Sequence, residues 1–104
     1  MLKDNEYFRN EDVRAAANGR WAMVLGTLLP EQFKDALDRP GTKQVPCAKN
    51  GGKTRFRFFR ESLNERGAGI CNCCGPLSDG FAVLQWANDW DFTTAKEAVG
   101  ELLS

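Results

Sequence analysis

The sequence predicts an α+β fold: a small ribbon, an antiparallel β-hairpin or three-stranded sheet, pinned by cysteines and flanked by N-terminal and C-terminal helices. Three observations predict it. The cysteines stand in two places, Cys47 and the run Cys71-Asn72-Cys73-Cys74-Gly75. Between them, Lys53-Thr54-Arg55-Phe56-Arg57-Phe58 alternates polar and apolar residues with the period of a strand. Both outer segments repeat apolar residues at three- and four-residue steps, the period of a helix.

The cysteine spacing carries the first argument. A C-x2-C-G knuckle turns the backbone tightly enough to aim two thiolates at one tetrahedral ion, and the glycine relieves crowding in the turn. Cys71 to Cys74 has that form, and Cys47 to Asn50 has its spacing without the second cysteine. Two knuckles joined by a hairpin make a zinc ribbon, so Zn2+ is the expected cofactor. Cys47, Cys71 and Cys74 are the ligands the spacing names. The fourth stays open between Asn50, Cys73 and water, because the chain holds no histidine. Asn50 has the position but a neutral oxygen. Cys73 has the right element, yet adjacent residues in a tight knuckle rarely both reach one ion, which makes it read as a spare thiol. With no histidine to shuttle protons and no Glu close to the knuckles, a catalytic metal is disfavoured.

Length and composition set the frame. A chain of 104 residues is one domain, with parts at about 1–40 (helical), 44–80 (the ribbon) and 81–104 (helical). It is 42% hydrophobic and 27% charged, with no apolar run near the roughly 20 residues of a membrane helix. The charged start, Met1-Leu2-Lys3-Asp4-Asn5, lacks the apolar core of a signal peptide. A reducing, cytoplasmic setting is therefore expected, where cysteines serve as metal ligands rather than disulfides.

In chain order, Asn10 would cap a helix from about Glu11 to Leu29, with Val13, Ala17, Trp21, Val24, Leu25 and Leu28 on its buried stripe. Asn18-Gly19 weakens its middle and allows two shorter helices. Pro30 opens a short helix over Glu31 to Leu37, and Arg39-Pro40-Gly41-Thr42 ends it. Phe56 and Phe58 face inward from the strand, with Arg55 and Arg57 outward. Glu61 to Gly69 reads as a hairpin loop, with Ala68 to Cys71 as the returning strand. Asp79-Gly80 closes the ribbon, and Phe81 to Ala87 is helical. Thr94 and Glu97 have capping-box spacing for a last helix that buries Ala95, Ala98, Val99, Leu102 and Leu103. Trp21, Trp86, Trp90, Phe81 and Phe92 belong to the core.

Net charge is zero, but its distribution is uneven. Lys49, Lys53, Arg55, Arg57, Arg60 and Arg66 crowd residues 47–70 against Glu61 and Glu65, while residues 71–104 hold one lysine and five acids. A phosphate backbone meets local potential, within a Debye length of about 8 Å. Lys53, Arg55 and Arg57 could contact phosphates, Phe59 could stack on a splayed base, and Asn72 could bond a base edge. The bland alternative is a solvated strand face whose arginines pair with Glu61, Glu65 or the acidic C-terminal region. Gly51-Gly52-Lys53-Thr54 mimics the end of a phosphate loop, but Cys47 stands where the first glycine belongs and a strand follows instead of a helix.

Taken in order, these motifs resemble the zinc-binding domain of bacteriophage- and plasmid-type DNA primases and primase–helicases. The resemblance rests on Val13-Arg14-Ala15-Ala16-Ala17-Asn18-Gly19-Arg20-Trp21 and on Pro46-Cys47 with Gly51-Gly52-Lys53. It continues through Arg55-Phe56-Arg57-Phe58, Cys71-Asn72-Cys73-Cys74-Gly75 and Asp79-Gly80-Phe81. The chain departs from that family at Asn50, where it usually has cysteine, and at Thr54, where it usually has aspartate. The resemblance implies a non-catalytic ribbon that holds single-stranded DNA template while a primase catalytic domain, and possibly a helicase, acts beside it. The competing readings are a stand-alone ribbon that docks on a replication or conjugation protein, and a thiol redox centre at Cys71 with Cys74 or Cys73.

Overall fold

A computed structural model describes residues 10–103. The charged start on which the leader argument rested lies outside them. Among the described residues, six α-helices accompany one four-stranded antiparallel sheet, so the fold is α+β. Helices α1 (Asn10–Ala17) and α2 (Trp21–Leu28) replace the single long helix. The chain turns between them at Gly19, whose φ of +85° is a conformation that side chains with a Cβ rarely adopt. Asn10 is itself helical and does not act as the expected cap. The predicted stripe survives the break: Val13, Ala17, Trp21, Val24 and Leu25 are buried, while Leu28 is half-buried and Leu29 lies deeper. A 3-10 turn at Glu31–Phe33 runs into α3 (Lys34–Asp38).

Strands β1 (Val45–Cys47), β2 (Gly51–Phe58), β3 (Gly69–Cys71) and β4 (Gly75–Leu77) lie in sequence order across the sheet. The fourth strand exceeds the hairpin or three strands expected. A short helix α4 (Leu63–Arg66) occupies what read as a plain hairpin loop. Gly19 and Ala22 donate their backbone N–H groups to Asn64, tying the α1–α2 turn to α4.

Two closing helices, α5 (Gly80–Asn88) and α6 (Phe92–Leu103), complete the chain. The Asp79 carboxylate accepts the Ala82 N–H at 2.9 Å and caps α5. The cap of α6 corrects the Thr94–Glu97 expectation. Asp91 accepts the Thr94 N–H at 2.8 Å, so the helix starts earlier and Thr94 lies within its first turn. The acceptor role holds the Asp91 carboxyl below its ordinary range, through the Thr94 backbone N–H first and its hydroxyl second.

Period two along β2 sends Phe56 and Phe58 into the core, where both are buried. Phe56 packs edge-on against Phe33 (5.7 Å) and Phe58 (4.8 Å), and lies 5.0 Å from Trp86 of α5. Aromatic rings arranged this way add about 0.5–1.5 kcal/mol per pair beyond area burial. Trp21 meets Phe81 edge-on at 5.0 Å. Trp86, Trp90 and Phe92 are only partly buried against this core.

Candidate metal centre and nucleic-acid face

Strand order and direction place the two knuckles side by side. β1 and β3 both run antiparallel to β2, so Cys47 at the end of β1 and Cys71 at the end of β3 reach the same end of the sheet. Cys71 stands opposite Phe56 on one side and Gly75 on the other. Gly75 takes a φ of +95°, which lets the second knuckle fold back into β4.

The turns gather all four cysteines. Their Sγ atoms lie within 4.8 Å of one another, with Cys47 to Cys74 at 3.6 Å and Cys71 to Cys73 at 3.5 Å. A tetrahedral ion with Zn–S bonds of about 2.3 Å requires sulfurs about 3.8 Å apart, so this donor set fits zinc. The sulfur of Cys73 is not set apart as a spare thiol: it lies in the cluster. Asn50 faces the same cluster with its amide nitrogen, which donates to the Cys73 Sγ at 3.3 Å. It presents a donor, where a metal ligand needs a lone pair.

Nitrogen–hydrogen bonds aim at the sulfurs. Lys49 and Asn50 each direct a backbone N–H to the Cys47 Sγ at 3.3 Å. Burial pushes the Cys47 thiol up, but these two N–H groups, with the thiols of Cys73 and Cys71, outweigh it and hold the group down at about 6. Burial pushes Cys71 up to about 12, although the backbone N–H groups of Cys73 and Cys74 oppose it. The Trp86 side chain pulls Cys74 down, while burial and the neighbouring Cys47 lift it overall above the ordinary thiol range.

Outward residues of the sheet form a second feature. Lys53 and Arg55 are exposed, and Arg57 and Phe59 are half-buried. The Arg57 guanidinium lies 5.9 Å from the centre of the Phe59 ring. Asn72 is exposed, donates its backbone N–H to Arg55 O at 2.7 Å, and donates its side-chain amide to Thr54 O at 3.3 Å. Arg57, Ile70 and Pro76 stand opposite one another across β2, β3 and β4. Sequence reasoning missed the apolar pair Ile70 and Pro76 on this face; the signal was the alternation of Ile70 with the buried Gly69 and Cys71.

Among the described residues two side-chain ion pairs form, Arg14 with Asp79 at 2.9 Å and Lys49 with Asp89 at 3.2 Å. Neither uses Lys53, Arg55 or Arg57. Among the described residues no ion pair joins the strand arginines to Glu61 or Glu65. No helix among the described residues is long and apolar enough to cross a membrane.

A four-stranded ribbon with two knuckles and four converging sulfurs defines a metal-binding zinc ribbon. Residues 42–81 match the family model of the zinc-binding domain of primase-helicase. Its cofactor is zinc, for which the four cysteines are positioned. No curated protein and no solved structure matches the chain.

Proposed function

We propose that this chain is a zinc-ribbon module, acting as one domain, that binds single-stranded DNA template for primer synthesis by a primase. Cys47, Cys71, Cys73 and Cys74 hold the zinc in a closed shell of four thiolates, which leaves no position for water and gives the ion a structural task. Zinc supplies charge neutralisation among the thiolates and fixes both turns; the chain's own residues do the binding. Lys53, Arg55 and Arg57 meet phosphates, and Phe59 with the Arg57 plane offers a stacking surface worth about 1–3 kcal/mol per base. Asn72 keeps its side-chain oxygen for a base donor, since its amide nitrogen is given to Thr54. The module is not catalytic alone; a primase catalytic domain, and possibly a helicase, works with it in the cytoplasm.

The observation that carries this reading is a run of cations on β2 without carboxylate partners among the described residues, beside a half-buried aromatic ring. Anisotropy titration of labelled single-stranded DNA at two salt concentrations tests it. Salt-sensitive binding that Arg55→Ala/Arg57→Ala abolishes is the expected result. Absence of binding at about 50 mM salt, where phosphate contacts are strong, would point to protein docking instead.

A further inference from the structure

One buried polar atom in the described residues lacks a hydrogen-bond partner: the indole Nε1 of Trp86. Leaving a buried donor unpaired is unfavourable, so an orphan of this kind in a packed core calls for a physical reason. The ring is held firmly. Phe56 lies 5.0 Å away at 34° and Phe33 5.7 Å away at 64°, so the indole has little freedom to turn toward water. Phe56 stands directly opposite Cys71 in the sheet, and α5, which carries Trp86, packs against β4, the strand that follows Cys74. The indole edge thus lies beneath the second knuckle. The Trp86 side chain is also the foremost group pulling the Cys74 thiol down, although its N–H makes no hydrogen bond of ordinary geometry there.

A protonated thiol is a weak acceptor; a metal-bound thiolate is a strong one. The other three sulfurs already face N–H donors: Lys49 and Asn50 for Cys47, the knuckle backbone for Cys71, and the Asn50 amide for Cys73. Among the described residues no backbone or amide N–H is aimed at Cys74, which leaves the indole as the donor within its surroundings. We infer that Trp86 is a positioning residue of the metal centre, its indole N–H donating to the Cys74 thiolate when zinc is bound. This rests on the zinc reading above. The aromatic core is thereby linked to the ion, because the same ring that packs on Phe33 and Phe56 orients a ligand. Outer-shell partners of this type change metal affinity by about 10–100-fold when removed.

Trp86→Phe keeps the ring and deletes the N–H, and Trp90→Phe serves as the control. The full chain is loaded with zinc and titrated with a competing chelator, then loaded with Co2+ to read the sulfur-to-metal charge-transfer band. The expected result is zinc affinity lowered at least about tenfold in Trp86→Phe with a displaced band, both unchanged in Trp90→Phe. Equal affinity and an identical band in Trp86→Phe overturn the proposal while leaving the zinc site standing. A wild-type chain that takes up no zinc overturns the site and this proposal together. Should Trp86→Phe fail to fold, the wild-type chain carries the test through its indole proton resonances. A Trp86 proton that shifts downfield and resists exchange on loading with Cd2+ supports the bond; one that neither shifts nor gains protection refutes it.

Discussion

The side-chain amide of Asn50 donates to the sulfur of Cys73 at 3.3 Å, joining the two knuckles of the ribbon through a hydrogen bond outside the metal shell. The position that usually carries a cysteine holds a donor here, and the sulfur it serves comes from the opposite knuckle. On the proposed zinc reading, Cys73 supplies the sulfur that residue 50 lacks. Cys73→Ala should therefore lower zinc affinity by at least about 100-fold, and Asn50→Ala by about tenfold, the effect of losing an outer-shell partner. Chelator competition on the two purified variants checks the ranking. If Asn50→Ala proves the more damaging, the roles are reversed.

The electrostatic share of DNA binding should appear as a salt slope. Removing one phosphate contact on a single strand reduces the slope of log K against log salt by about 0.7. Lys53→Ala should reduce it by about that amount while leaving any sequence preference intact. Phe59→Ala should instead weaken binding at every salt concentration and leave the slope unchanged. Titrations at four salt concentrations separate the two.

Asp91 predicts a pH effect. Its carboxylate is held below the usual range by the Thr94 N–H, so its ionised form favours the folded chain. That stabilisation is present above the unfolded carboxyl value and is lost as pH falls through the lower folded value. Asp91→Asn retains a capping oxygen but not the charge. Its melting temperature should fall below wild type at pH 6 and converge with it below the acidic limit of the carboxyl range. A gap that stays constant down to pH 2 would rule this out.

Asp79 acts twice, as cap of α5 and as partner of Arg14. Asp79→Ala should cost about 1 kcal/mol through the cap, with a smaller addition from the partly exposed ion pair. Asp79→Asn keeps the cap and should recover most of it. Chemical denaturation of both variants and of Arg14→Ala apportions the effect.

Much of this structure was legible because its signals are local. Period two along Arg55 to Phe58 places Phe56 and Phe58 in the core, and cysteine spacing brings the knuckles together. What escaped has physical reasons. β4 is only Gly75-Pro76-Leu77, too short to show alternation, and it exists because β3 offers it an edge. The start of α6 was misplaced because Thr94 and Glu97 match one capping pattern while Asp91 supplies the stronger acceptor. Cys73 read as a bystander because adjacent side chains ordinarily diverge; the reach of its sulfur depends on how the knuckle closes against Asn50. The orphaned indole of Trp86 could not be foreseen at all, since burial of a single nitrogen depends on how α5 seats on the sheet.

The seat of Gly80 decides how the ribbon can be handled as a part. A Cβ there would collide with the Trp21 ring, so the start of α5 lies flush on α2. Phe56 rests on Phe33 and Trp86, both outside residues 42–81. The ribbon is thus no portable cassette. Grafted onto another protein at those limits it would bring its cysteines and leave its floor behind, whereas a graft that carries α2 through α5 takes Trp21, Phe33 and Trp86 with it.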